Sequence, residues 1–463
     1  MKKLAFAVPV AVVLGATLFE IPVADSQTTA FRARDPGVRA GAAGAGGPIS
    51  GLTPRELDYF AAGQADFAEA ESVEDGLGPT MNLDSCGGCH AQPVIGGSSP
   101  ALNPQVAFAG RMGAANRLPA FIRADGPVRE ARFVSNADGT PDGGVHALFT
   151  IAGRADAPGC VLAQPDFAGA LAGRNVIFRI PTPVFGAGLI EAIPDAAILA
   201  NQAATAPLGQ PLGIRGRANF AVSGRAVSGQ GNNNGNDGTI ARFGWKAQNK
   251  SLLLFAGEAY NVEMGITNEL FPTERDETSA CQFATMPNDS FDTESTVTVE
   301  ALPAIERFAL FQRFLAPPEP SASSPGGAAS IQRGRGLFSA TGCALCHTPT
   351  LQTGNSTVAA LRFRPANLYS DLLLHDMGPG LADGVSQGQA GPSEFRTAPL
   401  WGLGQRVFFL HDGRTSDLLE AVQAHQGGTA RAGNASEANG VVARFNGLAE
   451  SQKQDLLNFL RSL

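Results

Sequence analysis

Two five-residue stretches constrain this chain more than any other feature: Cys86-Gly87-Gly88-Cys89-His90 and Cys343-Ala344-Leu345-Cys346-His347. Each places two thiols three positions apart with a histidine directly after, the C-x-x-C-H pattern of c-type haem attachment. The thiols form thioethers with the two haem vinyl groups, and the imidazole that follows supplies one axial nitrogen to the iron. A redox pair or half of a zinc site needs no histidine at that place, and still less in two copies. The two copies use four of the six cysteines and two of the six histidines. The reading is two covalently bound haem c groups, attached at Cys86, Cys89, Cys343 and Cys346 and ligated by His90 and His347.

The chain has 463 residues, 44% hydrophobic and 16% charged, which describes a core-forming globular protein of two or three units. Its 56 glycines and 31 prolines predict long ordered loops wrapped around a large flat cofactor. A net charge of −8 argues against nucleic acid or an anionic membrane surface as partner and suits a basic electron-transfer protein. At the N-terminus, Lys2 and Lys3 precede the apolar run Leu4–Phe19, with small residues near Ala24. This predicts a secretory signal over 1–24, with an uncleaved anchor as the alternative, since the run falls short of the roughly 20 residues that span a bilayer. Export to the periplasm agrees with c-type attachment, which happens outside the cytoplasm. It also makes Cys160 and Cys281 candidates for a bridge, the alternative being two separate buried thiols.

The expected fold is mainly α, with two cytochrome c-like haem domains and a long, loop-rich, partly β middle region. Residues 25–50 read as a linker, 51–325 as an N-terminal haem domain with a long middle insertion, and 326–463 as a C-terminal cytochrome c-like domain. Thr53-Pro54-Arg55-Glu56 is a helix start with a capping box, and Leu57, Phe60, Ala61, Gln64 and Phe67 fall on one face of that helix. Gly76-Leu77-Gly78-Pro79 turns the chain before the first motif. Ser330 is a possible cap for a helix holding Gly334 and Phe338, the same four-residue offset as Gly63 and Phe67, so each motif opens a weakly repeated unit. The apolar runs Val176–Ile180 and Leu252–Phe255 read as short strands or buried coil. The Asn- and Gly-rich stretch from Gly231 to Gly238 lacks the acidic twelfth residue of a calcium loop and reads as a flexible loop. Asp417 caps a helix over Leu418–His425, and an amphipathic helix with Leu456, Leu457, Phe459 and Leu460 ends the chain.

The second axial position decides between electron transfer and chemistry at the iron. His425 is the best candidate, because Leu418, Val422 and His425 share a helical face. His375 and Met377 are its rivals. His411 reads as a pocket or propionate-side residue and His146 as a surface-loop residue. Met112 or Met264 can complete the His90 haem if it is six-coordinate. The catalytic residues are unknown; Glu191, Glu258 and Glu263 are unranked candidates for a base.

Arg396-Thr397-Ala398-Pro399-Leu400, Phe409-Leu410-His411-Asp412-Gly413-Arg414 and Leu418-Leu419-Glu420-Ala421-Val422 resemble the C-terminal signature of di-haem cytochrome c peroxidases. The wider chain resembles the di-haem oxidoreductase, or thiol oxidoreductase-like, family. The similar stretches are Phe185 to Pro194, Arg242-Phe243-Gly244-Trp245-Lys246-Ala247, His375-Asp376-Met377-Gly378 and Trp401-Gly402. In the peroxidases a position that matches His425 carries the second ligand of the C-terminal haem, usually a methionine; histidine there implies a lower potential. The peroxidases also carry a histidine shortly after the first motif, and none occurs here between His90 and His146. The resemblance therefore implies an exported oxidoreductase with a reactive His90 haem, an electron-transferring His347 haem, peroxide or oxygen as small-molecule substrate, and a possible homodimer. A bis-histidine C-terminal haem also resembles the di-haem rubber oxygenases, which activate oxygen. A di-haem electron carrier without chemistry is the other alternative. Trp245 is either an inter-haem conduit, as a tryptophan is in related enzymes, or a structural aromatic.

Overall fold

The computed structural model describes residues 31–463 apart from 79–80, 82, 114–116, 142–144, 147–153, 221–239, 273–278 and 285–286, and for Val145 and His146 it describes the backbone. The signal-like segment, Pro79 and the stretch from Gly231 to Gly238 fall outside the described residues.

Thr53 opens the first helix, α1 (Pro54–Ala68): its hydroxyl accepts from Glu56 N while the Glu56 carboxylate accepts from Thr53 N, the reciprocal box that the sequence predicts. Phe60, Gly63 and Phe67 form its buried face, whereas Leu57 is 41% exposed and does not belong to it. The first motif forms the single-turn helix α2 (Cys86–Cys89), and α3 (Pro104–Arg111) follows. The middle region then makes an antiparallel sheet of order β2-β1-β3, from β1 (Glu130–Phe133), β2 (Val145–His146) and β3 (Val176–Arg179). Ala131 pairs with His146 on one side and Phe178 on the other, so His146 lies in a strand and not in a surface loop. Between β2 and β3 runs α4 (Phe167–Ala172).

Beyond the sheet come α5 (Ala187–Glu191), α6 (Asp195–Gly209) and α7 (Leu252–Met264). The run Leu252–Phe255 is thus helical, neither strand nor coil. Ser251 accepts from Leu254 N to start α7, and Gly265 stops it at φ 74°, so local capping decides what an apolar run of four residues leaves open. Helices α8 (Thr298–Ala301) and α9 (Ala304–Phe314) complete the middle of the chain.

From α10 (Ala328–Thr341) onward the small antiparallel ladders β4 (Leu351–Gln352) with β5 (Pro365–Ala366), and β6 (Leu374–Asp376) with β7 (Glu394–Arg396), alternate with loops. The chain ends in α11 (Leu418–Ala424), α12 (Asn439–Asn446) and α13 (Glu450–Ser462). Asp417 caps α11 by accepting from Leu419 N and Glu420 N, as predicted. Ser330 is not a cap: α10 begins at Ala328, and Ser330 inside its first turn donates to Asp455 Oδ1 (2.6 Å) on α13. The protein is mainly helical with a few small antiparallel strands, and Ala33–Leu463 packs as one unit.

The weak repeat has a structural meaning. Helix α1 packs on α9 and α10 packs on α13, each pair closing at a glycine. A Cβ on Gly63 would stand 2.1 Å from Arg307 O, and one on Gly334 would stand 2.0 Å from Asp455 O, so only hydrogen allows either approach. Four residues on, Phe67 lies 5.7 Å from the His90 ring and Phe338 lies 6.4 Å from the His347 ring. The glycine sets the helix contact and the phenylalanine carries it to the motif histidine. Elsewhere, Cys160 and Cys281 form a disulfide across 121 residues. Among the described residues no helix is long and apolar enough to cross a membrane.

Candidate functional site

Each C-x-x-C-H motif opens on its own cavity. The first, about 1160 Å³, is lined by Cys86, Cys89 and His90 together with residues from β1, β3 and α7. The second, about 1380 Å³, is lined by Cys343, Cys346 and His347 together with residues from α11, α12 and the β6–β7 ladder. Each brings two thiols and a motif histidine to one wall, the set that attaches a large flat haem. Trp245 lines both, and also a smaller cavity of about 560 Å³ between them. Its Nε1 donates to Ile180 O (3.0 Å), and His411 meets its ring edge-on at 6.4 Å. His411 in turn stacks on Phe395 at 4.4 Å.

Three cavity histidines set Nδ1 against a backbone carbonyl. His90 Nδ1 sits 3.0 Å from Gly97 O, His347 Nδ1 3.0 Å from Tyr369 O, and His425 Nδ1 2.8 Å from Ala421 O. An Nδ1–H donated to a carbonyl leaves the lone pair on Nε2, the tautomer that binds a metal. Burial drives His90 and His347 down to about 4 and lowers His425 as well, so all three are neutral near pH 7. His425 caps the end of α11 and lines the second cavity with His347, whose pKa it helps to depress. Burial raises the pKa of all four motif thiols.

His375 lines the same cavity but has both ring nitrogens engaged: Nε2 is 2.9 Å from Asp371 Oδ2 and Nδ1 is 2.7 Å from Glu437 Oε2. Burial alone would lower its pKa; the Cys346 and Asp371 neighbours hold it well above the imidazole range. A protonated ring has no lone pair for iron, which sets it apart from His425. Met377 also lines this cavity. In the first cavity the methionine on the wall is Met81, not Met112 or Met264. Met112 ends α3, and Met264 is buried with its sulfur 3.6 Å from Cys86 Sγ.

The three glutamates separate clearly. Glu191 is a packing residue, accepting from Leu252 N (2.8 Å) and paired with Arg313 (2.8 Å). Glu258 accepts from the Asn249 side chain and does not line the cavity. Glu263 does line it, and burial, with the Glu130 and Glu258 charges, raises its pKa to about 8 against the pull of Arg132. Glu130 and Arg132 form an ion pair at 2.8 Å on the same wall. They were missed in the sequence, although their i, i+2 spacing around the buried Ala131 puts both on one face of β1.

Three arginines were also missed. Arg396 and Arg406 line both the second cavity and the smaller one, are buried, and have no carboxylate partner among the described residues. Burial lowers each to about 10, and Arg406 further lowers Arg396. Arg242 is fully buried against the smaller cavity with Nε and Nη1 unbonded, while Nη2 holds Ile193 O and Asp195. Arg396 and Arg406, adjacent and buried with no ion pair of their own and only the Asp371 charge acting on Arg396, fit a ligand that carries carboxylates. A haem, flat, apolar and bearing two propionates, matches the thiols, the neutral imidazoles and these arginines together.

A family model described as "Di-haem oxidoreductase, putative peroxidase" matches residues 131–463. The chain belongs to the di-haem oxidoreductase family, and that membership implies two haems. No curated protein matches the chain.

Proposed function

We propose that this is an exported di-haem c-type cytochrome oxidoreductase with peroxidase-like activity. In this reading Cys86, Cys89, Cys343 and Cys346 attach two haems covalently, and 51–325 and 326–463 are the units that carry them. His90 and His347 are the proximal ligands and His425 the second ligand at the C-terminal centre. Haem iron, when bound, supplies the redox equivalents for reducing a peroxide.

The observation that carries the reading is the inequality of the two cavities. The second has two further neutral histidines on its wall, His411 and His425; among the described side chains the first has none beyond His90 and instead presents Glu263, a buried carboxyl with a pKa of about 8. As the carboxylate, formed as pH rises through about 8, Glu263 has the proton affinity to accept from a peroxide, which an ordinary carboxylate lacks. Arg132, next to the Glu130 carboxylate, stabilises the negative charge that remains. Arg396 and Arg406 hold propionates. Trp245, shared by both walls, is the route for electrons between the sites. A basic electron-transfer protein is the external donor.

Optical and electron paramagnetic resonance spectra of the haem-loaded protein, with and without cyanide or carbon monoxide, test this. The expected result is one low-spin haem and one high-spin haem that binds the added ligand. Two low-spin haems that bind nothing would make it an electron carrier. Oxygen uptake without peroxide consumption would make it an oxygenase.

A further inference from the structure

Tyr260 on α7 is the one buried phenol of the first cavity wall. Its hydroxyl donates to Glu71 Oε1 at 2.9 Å. Its ring meets Phe308 edge-on at 5.0 Å, Phe308 meets Phe67 edge-on at 6.0 Å, and Phe67 meets the His90 ring at 5.7 Å. An unbroken run of aromatic rings therefore joins the first motif's histidine to this phenol. Of the chain's other two tyrosines, Tyr59 accepts from Arg55, and Tyr369 reaches the His347 ring through Phe338 (5.9 and 6.4 Å) but lines neither large cavity and has no carboxylate on its hydroxyl among the described residues.

Oxidising a phenol in a protein interior requires somewhere for its proton to go, because the phenol radical cation is a very strong acid. A purely structural buried tyrosine needs only some acceptor, and a backbone carbonyl suffices. Tyr260 has a carboxylate. Burial raises Glu71 to about 7, with the Tyr260 hydrogen bond acting in the other direction and Glu69, Asp75 and Asp66 adding to the rise. Near neutral pH a large share of Glu71 is ionised, yet its affinity is high enough to keep a transferred proton. Glu71 is only partly buried, whereas Tyr260 is 5% exposed, so the proton moves outward while the electron moves inward.

We propose that Tyr260 is a redox-active tyrosine that supplies one electron to the first cavity, with Glu71 as its proton acceptor. This rests on the peroxidase-like reading above, and the oxidant is a peroxide. Reducing H2O2 to two waters takes two electrons and two protons, the protons coming from solvent. One electron comes from the cofactor and one from Tyr260. The Tyr260 O–H bond breaks, an O–H bond forms on Glu71, and a neutral phenoxyl radical is left. An electron from the external donor later reduces the radical, and Glu71 returns the proton. Tyr260 thereby holds one of the two oxidising equivalents on the protein until a one-electron donor arrives.

Freeze-quenched electron paramagnetic resonance of the haem-loaded protein mixed with hydrogen peroxide, with parallel stopped-flow optical spectra, decides the matter. An organic radical signal is expected, narrowed when the protein is grown with ring-deuterated tyrosine. Tyr260→Phe should lower its yield by about tenfold or more, the scale of removing a dominant path. Glu71→Gln should reduce it while leaving the phenol in place. Optical oxidation with no deuterium-sensitive radical, or a radical undiminished in Tyr260→Phe, overturns the tyrosine assignment and leaves the peroxidase-like reading standing. No optical change with peroxide overturns both. The isotope experiment uses the unmodified sequence, so the answer does not depend on whether either variant folds.

Discussion

His347 and His425 line one cavity, and each fixes its ring by setting Nδ1 against a backbone carbonyl, Tyr369 O at 3.0 Å and Ala421 O at 2.8 Å. One carbonyl belongs to a loop and the other to the last turn of α11, so two unrelated local structures orient two imidazoles on the wall of one cavity. His425→Ala removes one. The C-terminal haem should change from low-spin to high-spin, read as loss of the low-spin resonance and gain of cyanide binding at that site. His375→Ala, which removes a ring already held by two carboxylates, should leave that haem low-spin. The opposite pair of results would exchange the two assignments.

Glu263 gives a second prediction, with a defined direction in pH. The proton acceptor works as a carboxylate, and its pKa is raised to about 8. Peroxide turnover should therefore rise as pH passes upward through about 8 and level off above it. Glu263→Gln should lower kcat by about 10²-fold or more, the usual worth of a general base, and remove that limb of the pH profile. Stability runs the other way. A carboxyl whose pKa is about 4.3 unfolded and about 8 folded makes the native state progressively less stable between those values. The glutamine variant should unfold with a flatter pH dependence over the same range.

Much of the lining of the two cavities was legible because thiols and imidazoles stand out by residue type and spacing. The two C-x-x-C-H motifs, the α11 face ending at His425 and the α1 capping box all rest on local periodicity, and the structure places each where its pattern indicates. What was hidden depends on contacts between distant segments. Glu263 stands out from Glu191 and Glu258 only once α7 is seen against β1, since all three are single acids in apolar surroundings. Arg396 and Arg406 look like ordinary surface cations until their burial without an ion pair is visible. Leu252–Phe255 was ambiguous because four apolar residues fit either period, and the deciding signals were the cap at Ser251 and the stop at Gly265.

The arginine pair yields a third prediction. Arg396 and Arg406 place two buried positive charges at the second cavity, and a nearby cation favours the reduced, less positive state of a bound iron. Arg406→Gln should therefore lower the midpoint potential of the C-terminal haem. A shift on the order of 60 mV corresponds to a tenfold change for a one-electron couple. Spectroelectrochemical titration at the low-spin band measures it. An unchanged potential in both Arg406→Gln and Arg396→Gln would mean that these side chains do not face the haem carboxylates.

Asp35 ties the segment before α1 to α11 and α13 and supports His425 indirectly. Its carboxylate pairs with Arg461 of α13 (2.7 Å to Nε, 2.5 Å to Nη2), and Oδ2 also accepts from Leu418 N at the start of α11 (2.8 Å). Arg461 is 1% exposed, so Asp35→Ala strands a charge in the core and should destabilise the fold by about 3–5 kcal/mol. Asp35→Ala combined with Arg461→Met should recover much of that loss, because the unpaired charge is gone. The pH dependence follows from the lowered pKa of Asp35: burial raises it, but the Arg461 and Leu418 bonds outweigh burial. The contribution is present above the unfolded value of about 3.9 and is lost as pH falls through the lower folded value. Since α11 ends at His425, the single variant should also loosen that ligand, seen as a high-spin fraction that appears on warming well before global unfolding. Thermal melts followed in parallel by circular dichroism and by the low-spin absorption band separate the two events. Coincident curves would show that Asp35 stabilises the whole fold with no particular hold on α11.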